Sequence, residues 1–197
     1  MKRVLICASL LAITSTVFAQ QKAPASPPET ATAAIGGQSI SIKYSSPGVK
    51  GREGQLFGKD GRISHDPHYP VWRAGANSAT TLHTDADLTI GTLSVPKGDY
   101  TLFVDISDPD HWVLIVNKKT GEWGLAYDGT QDLGHTPMTM SKPASMVENL
   151  KWTINDLSGG KGEITLAWKT TVRRCRSQCI EVECPEDQRR NGQPAGY

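Results

Sequence analysis

Arg73 and Asn77 stand four residues apart with Gly75 between them, and Thr80 and Thr81 follow closely. A turn through Ala74-Gly75-Ala76 would aim a guanidinium, a carboxamide and hydroxyls at one point, a donor set suited to a carboxylate, a phosphate or a sugar hydroxyl. Lys50 and Arg52, from a glycine-rich stretch upstream, would add positive charge. Trp72 would add a flat apolar wall of the kind that stacks on a sugar or another planar ligand. The same residues also fit a structural role, with Arg73 paired to an internal acid such as Asp87 and Asn77 bonded back to its own turn.

Acid-base chemistry has a thinner basis. His65 or His68 with Asp66 or Asp87 would be the working pair of a hydrolase. His65, His68 and His83 would also begin a metal site, but His-x-x-His on a loop lacks a fixed third ligand, so neither a metal nor another cofactor is expected. The chain has no Gly-x-Ser-x-Gly elbow. Gly58-Lys59 fails as a phosphate cradle, because Glu53 and Asp60 stand where glycine and a hydroxyl residue are needed. Among the tryptophans, Trp112, Trp152 and Trp168 fall in register with apolar neighbours and read as core, leaving Trp72 and Trp123, beside turns, as ligand contacts.

The elements that must position these residues are strands. Ile40, Ile42 and Tyr44 alternate with polar residues, as do Tyr100 to Ile106, Leu150 to Ile154 and Ile164 to Trp168, while Trp112 to Val116 is apolar throughout. Turn chemistry separates them at Pro96-Lys97-Gly98-Asp99, Asp108-Pro109-Asp110, Lys118-Lys119-Thr120-Gly121 and Ser158-Gly159-Gly160-Lys161-Gly162. The spacing predicts an all-β domain, an antiparallel β-sandwich or flattened barrel, interrupted by one long loop from Ser45 to Pro70. Pro143 to Leu150 reads as a short helix or a loop.

The ends of the chain differ from its middle. Lys2 and Arg3, the apolar run Val4 to Val17 and the small residues of Val17-Phe18-Ala19 read as a signal peptide over residues 1–19, cleaved after Ala19, which predicts a periplasmic or secreted protein. The run is too short and too diluted by Ser and Thr for a membrane span. Residues 20–36, rich in Ala, Pro, Ser and Thr, read as a flexible leader, and 37–172 as the β-domain. Residues 173–197 form an atypical tail holding Cys175, Cys179, Cys184 and five of the nine arginines. It lacks strand periodicity and reads as an altered ending or an appendix, and in an oxidising compartment two of its cysteines would pair.

With 197 residues, 38% hydrophobic and 21% charged, the composition is that of an ordinary globular protein. The 21 basic residues nearly balance the 20 acidic ones, so there is no overall field to recruit nucleic acid or an anionic membrane. Two basic residues lie in the signal peptide and five in the tail, so the folded middle is the more acidic part and Lys50, Arg52 and Arg73 are a local exception.

The runs Tyr44-Ser45-Ser46-Pro47-Gly48-Val49-Lys50-Gly51-Arg52, Phe57-Gly58 and Val71-Trp72-Arg73-Ala74-Gly75-Ala76-Asn77-Ser78-Ala79-Thr80-Thr81, continuing to Trp123-Gly124, resemble the bacterial domain of unknown function 2911 family over about Ile40 to Trp168. The resemblance implies an exported, β-rich bacterial protein and brings no catalytic residues. His65-Asp66-Pro67-His68-Tyr69-Pro70 departs from the family's usual approach to the Trp-Arg motif. The expected function is that of a binding module for a small polar or anionic ligand, possibly a saccharide, held by Arg73, Asn77, Trp72, Lys50, Arg52, Thr80 and Thr81. A hydrolase and an envelope assembly module that pairs through its sheet edges are the alternatives.

Overall fold

The computed structural model describes residues 24–141, 145–170 and 173–182. In chain order its strands are β1 (Pro28–Ile35), β2 (Gln38–Ser45), β3 (Val71–Trp72), β4 (Thr80–Thr84), β5 (Leu88–Ile90), β6 (Leu93–Val95) and β7 (Gly98–Asp105), then β8 (Val113–Asn117), β9 (Asp132–Pro137), β10 (Thr139–Ser141), β11 (Lys151–Ser158), β12 (Lys161–Thr170) and β13 (Arg173–Val182). They form two antiparallel sheets. The first runs β1-β2-β4-β7-β8-β9, with β3 paired to β7, and the second runs β11-β12-β13-β5-β6, with β10 paired to β13. Neither closes on itself, so the sandwich rather than the flattened barrel describes the fold.

Alternation explains which face is covered. Ile40, Ile42 and Tyr44 of β2 are buried while Lys43 is exposed, because successive side chains of a strand point to opposite faces. Leu82 of β4, Leu102 and Val104 of β7, and Leu114 and Val116 of β8 join them from the first sheet. Trp152 and Ile154 of β11, Ile164 and Leu166 of β12, and Leu88 and Ile90 of β5 meet them from the second. Phe103 and Ile115 are buried on the outer face, where Tyr127 packs edge-on against Phe103. The β11-β12 hairpin turns through Ser158, Gly159 and Gly160, all at positive φ, which the two glycines adopt without a Cβ penalty.

Two expectations change. Residues 28–35 are not leader but the edge strand β1, paired residue for residue with β2 from Pro28 opposite Ser45 to Ile35 opposite Gln38. Its Ala/Thr composition buries little apart from Ile35, so the ladder and the bond from Tyr44 Oη to Glu29 (2.8 Å) hold what apolar periodicity does not announce. Burial and that carboxylate push the Tyr44 phenol up to about 12. The boundary at 172 also moves, since β13 pairs with β12 on one side and with β5 and β10 on the other. An inner strand is set by two ladders rather than by its own polarity pattern. Of the two readings given for Pro143 to Leu150, the described residues 145–150 take the loop, with Asn149 bridging to Gly48. The signal peptide, residues 20–23, Cys184 and the cysteine pairing lie outside the described residues.

Candidate anion pocket

The long loop is anchored by its backbone and by short side-chain bonds to main-chain carbonyls. Ser46 Oγ donates to the Leu150 carbonyl (2.6 Å), Leu150 N–H donates to Pro47 and Val49 N–H donates to Glu148. Arg52 folds back on the same stretch, donating through Nε to Val49 O (2.9 Å) and through Nη2 to Gly48 O (2.7 Å). A 3-10 turn follows at Arg62–His65, tied to the loop by Arg62 N–H to Gln55 and Ile63 N–H to Leu56. Gly61 permits this closeness, because a Cβ there would stand 2.6 Å from Leu56 O.

The turn expected at 74–76 exists, with Ala74 and Asn77 both in the left-handed region. Ala74 O accepts from Trp152 Nε1 (3.0 Å) and from Thr80 Oγ1 (3.3 Å), and Ala76 N–H donates to Ser45. The turn separates the expected donors instead of converging them. Thr80 is buried beneath it, Thr81 faces a different, shallow groove beside Lys43 and Tyr44, and Asn77 is exposed, with only a 3.4 Å contact to Ser26 O. Lys50 is exposed and lies elsewhere, bonded through Nζ to Ala25 O and through its N–H to Glu148 Oε1.

Arg73 turns the other way. Its Nη1 pairs with Asp66 Oδ2 at 3.1 Å, and Asp66 Oδ1 accepts the His68 N–H. Asp66, not Asp87, is therefore the internal acid, and Asp87 accepts the Lys97 N–H instead. Burial draws the Arg73 guanidinium below its ordinary pKa, and Asp66 opposes that shift. Trp72 is a correction too. It is only 3% exposed, stacked on Trp168 with ring centres 5.8 Å apart and edge-on to Phe57 and Trp112, because its strand β3 pairs with β7 inside the sheet.

These elements enclose a pocket of about 370 Å³. Arg52, Arg62 and Arg73 supply positive charge to it, with Asp66 the carboxylate and His65 beside them. Leu56, Ile63, Leu125, Trp72 and Trp168 supply apolar wall. Among the described residues two buried donors have no acceptor, Arg73 Nε and Trp168 Nε1, and both belong to residues lining this pocket. A buried donor left unpaired costs about 1–3 kcal/mol. Of the expected ligand residues, Arg73, Arg52 and Trp72 are brought together. Sequence reasoning missed Arg62, Trp168 and Leu125, and the available signal for the ion pair was the Asp66-to-Arg73 spacing across the departing His65-to-Pro70 segment.

Among the described residues the rings of His65 and His68 make no hydrogen bond to Asp66 or Asp87. Asp66 is engaged by Arg73 and a backbone N–H, and the His68 ring meets Tyr127 edge-on at 5.9 Å. Imidazole–carboxylate contacts occur elsewhere, at His83 with Asp99 and Asp85, and at His135 with Asp132, which also accepts from Tyr127 and Asn117. Among the described residues no group of three or more His, Cys, Asp or Glu side chains gathers as metal ligands, and no helix is long and apolar enough to cross a membrane.

The family model described as a protein of unknown function, DUF2911, matches residues 26–176, which takes in β1, the arginine pocket and the start of β13. No curated protein and no solved structure matches the chain. With three quarters of its length under that one model, the chain belongs to the DUF2911 family.

Proposed function

We propose that this domain binds a small anionic ligand in the pocket shared by Arg52, Arg62 and Arg73, without chemistry of its own. The observation that carries the reading is the convergence of three guanidinium groups, from the long loop, the 3-10 turn and the end of β3, on one cavity. Three guanidinium groups against one carboxylate leave the cavity net positive within an otherwise acidic middle. Arg62, exposed and without an ion-pair partner among the described residues, is free to close on an anion, whereas Arg52 and Arg73 are already oriented by carbonyls and by Asp66. Guanidinium forks favour carboxylate and phosphate over neutral hydroxyls. With Trp72 buried, an open stacking wall for a saccharide loses its support. The signal-like residues 1–19 support a place outside the cytoplasm.

The test is calorimetric titration of the protein with acetate, inorganic phosphate and glucose at low salt. The reading expects binding of an anion, no binding of glucose, and at least a tenfold loss in Arg62→Gln with the melting temperature unchanged. An absence of anion binding, or equal binding by Arg62→Gln, overturns it.

A further inference from the structure

An anionic head does not fill this pocket. At about 370 Å³ it has room for roughly twelve waters at the liquid share of about 30 Å³ each, and it lies within the range of small-molecule sites. A carboxylate or phosphate held by the three arginines takes a small part of that space. Beside the guanidinium groups, Ser26, His65 and Asp66, the lining has apolar wall, in which Leu56 is 2% exposed, Ile63 is partly buried and Leu125 is 37% exposed. A leucine that exposed is ordinary when it stands alone on a surface. Here it lines the same cavity as the arginines and neighbours Trp123, which is 59% exposed, on a segment fastened to the turn after Arg73 by the Ser78–Trp123 bridge and by Gly124 against Arg73.

Resting on the reading above, we infer that the ligand is an amphipathic organic anion: a carboxylate or phosphate group carried on a compact apolar or aromatic body, with Leu125 the residue that selects the body. The head is held by the guanidinium groups, and the body displaces water from Ile63 and Leu125. Apolar surface removed from water adds affinity in proportion to its area, so the body contributes what the head alone does not.

The experiment titrates the full chain with acetate, benzoate, inorganic phosphate, phenyl phosphate and benzyl alcohol, by calorimetry and by tryptophan fluorescence. Benzoate over acetate, or phenyl phosphate over inorganic phosphate, is expected to gain at least tenfold in affinity, and which pair shows the gain distinguishes the two heads. Leu125→Ser is expected to remove the gain, so that it binds aryl and bare anions with similar affinity. Because Leu125 is partly exposed, its melting temperature serves as the folding control, and Leu125→Ala repeats the measurement with a smaller change in polarity. Bare anions binding as tightly as aryl ones, or a gain that survives both Leu125 variants, overturns this inference and leaves the anion pocket standing. Benzyl alcohol binding as well as benzoate, or no probe binding at all, overturns both.

Discussion

Gly124 lies flat against the Arg73 side chain. A Cβ built on Gly124 would stand 2.1 Å from Arg73 Cδ, 2.9 Å from its Nε and 2.6 Å from Asn77 O. Arg73 is thus clasped between Asp66 at its tip and the backbone of the 123–124 segment along its stem, and that backbone covers the nitrogen that has no acceptor.

Gly124→Ala should therefore destabilise the fold by about 1–3 kcal/mol, the usual cost of forcing an extra carbon into a packed site. In an Arg73→Ala background the clash with the stem is gone and only that with Asn77 O remains, so the same substitution should cost visibly less. Denaturant unfolding of the four proteins in a double-mutant cycle measures the coupling. Additive effects would show that Gly124 and Arg73 are not in contact.

Asp66→Asn keeps the size of the side chain and removes the charge that faces Arg73. The Asp66 side chain is 7% exposed and that of Arg73 20%, so the guanidinium is left with little solvent to replace its partner. Removing one member of a buried pair costs about 3–5 kcal/mol. The remaining solvent access of Arg73 and the amide oxygen kept by Asn place this case below that, at roughly 2 kcal/mol. Asp87→Asn, at a site where the carboxylate only accepts the Lys97 N–H in the open, should cost far less. Chemical unfolding that ranks Asp87→Asn above Asp66→Asn would return Arg73 to the partner suggested by sequence.

The contrast between those two acids shows what the sequence could convey. Strands that bury one face announce themselves by alternation, and β2, β7, β11 and β12 stand close to where Ile40, Tyr100, Trp152 and Ile164 put them. β1 and β13 did not, because Ala/Thr and Arg/Cys segments owe their strand conformation to neighbouring ladders that lie far away in the chain. The pocket was half legible for the same reason. Arg73 and Arg52 are marked by residue type, but Arg62, Trp168 and Leu125 reach the cavity from three separate elements that only the folded sheets bring together. Trp72 failed as an open wall because β3, two residues long, is pinned to β7.

His83 carries a pH prediction. Nδ1 lies 2.8 Å from Asp99 and Nε2 3.0 Å from Asp85, and both ring nitrogens donate only in the imidazolium form. The hydrogen bonds to Asp99 and then Asp85 raise its pKa above 6.5. A raised histidine stabilises the fold fully below its unfolded pKa, and the contribution is lost as pH rises through the folded value. Wild type should therefore exceed His83→Gln in melting temperature at pH 6, and the gap should close on the alkaline side of neutrality. The gap stays small because the site is exposed. A gap that widens with pH would contradict the clamp.

Trp152 and Trp168 are both buried indoles in the same core, and they differ in what their N–H groups meet. Trp152 Nε1 donates to Ala74 O at 3.0 Å and so ties β11 to the turn that carries Arg73, whereas Trp168 Nε1 has no acceptor. Replacing either by Phe removes similar volume, and the cavity cost is comparable for the two. The polar term has opposite sign. Trp152→Phe deletes a satisfied hydrogen bond, although Thr80 Oγ1 still donates to Ala74 O. Trp168→Phe deletes a donor whose burial was already unfavourable. Without ligand, Trp152→Phe should be the more destabilising by roughly 1–3 kcal/mol. Parallel urea titrations of the two variants measure the difference. Equal losses in the two variants, or a larger one in Trp168→Phe, would mean that the Trp152 bond to Ala74 contributes nothing net.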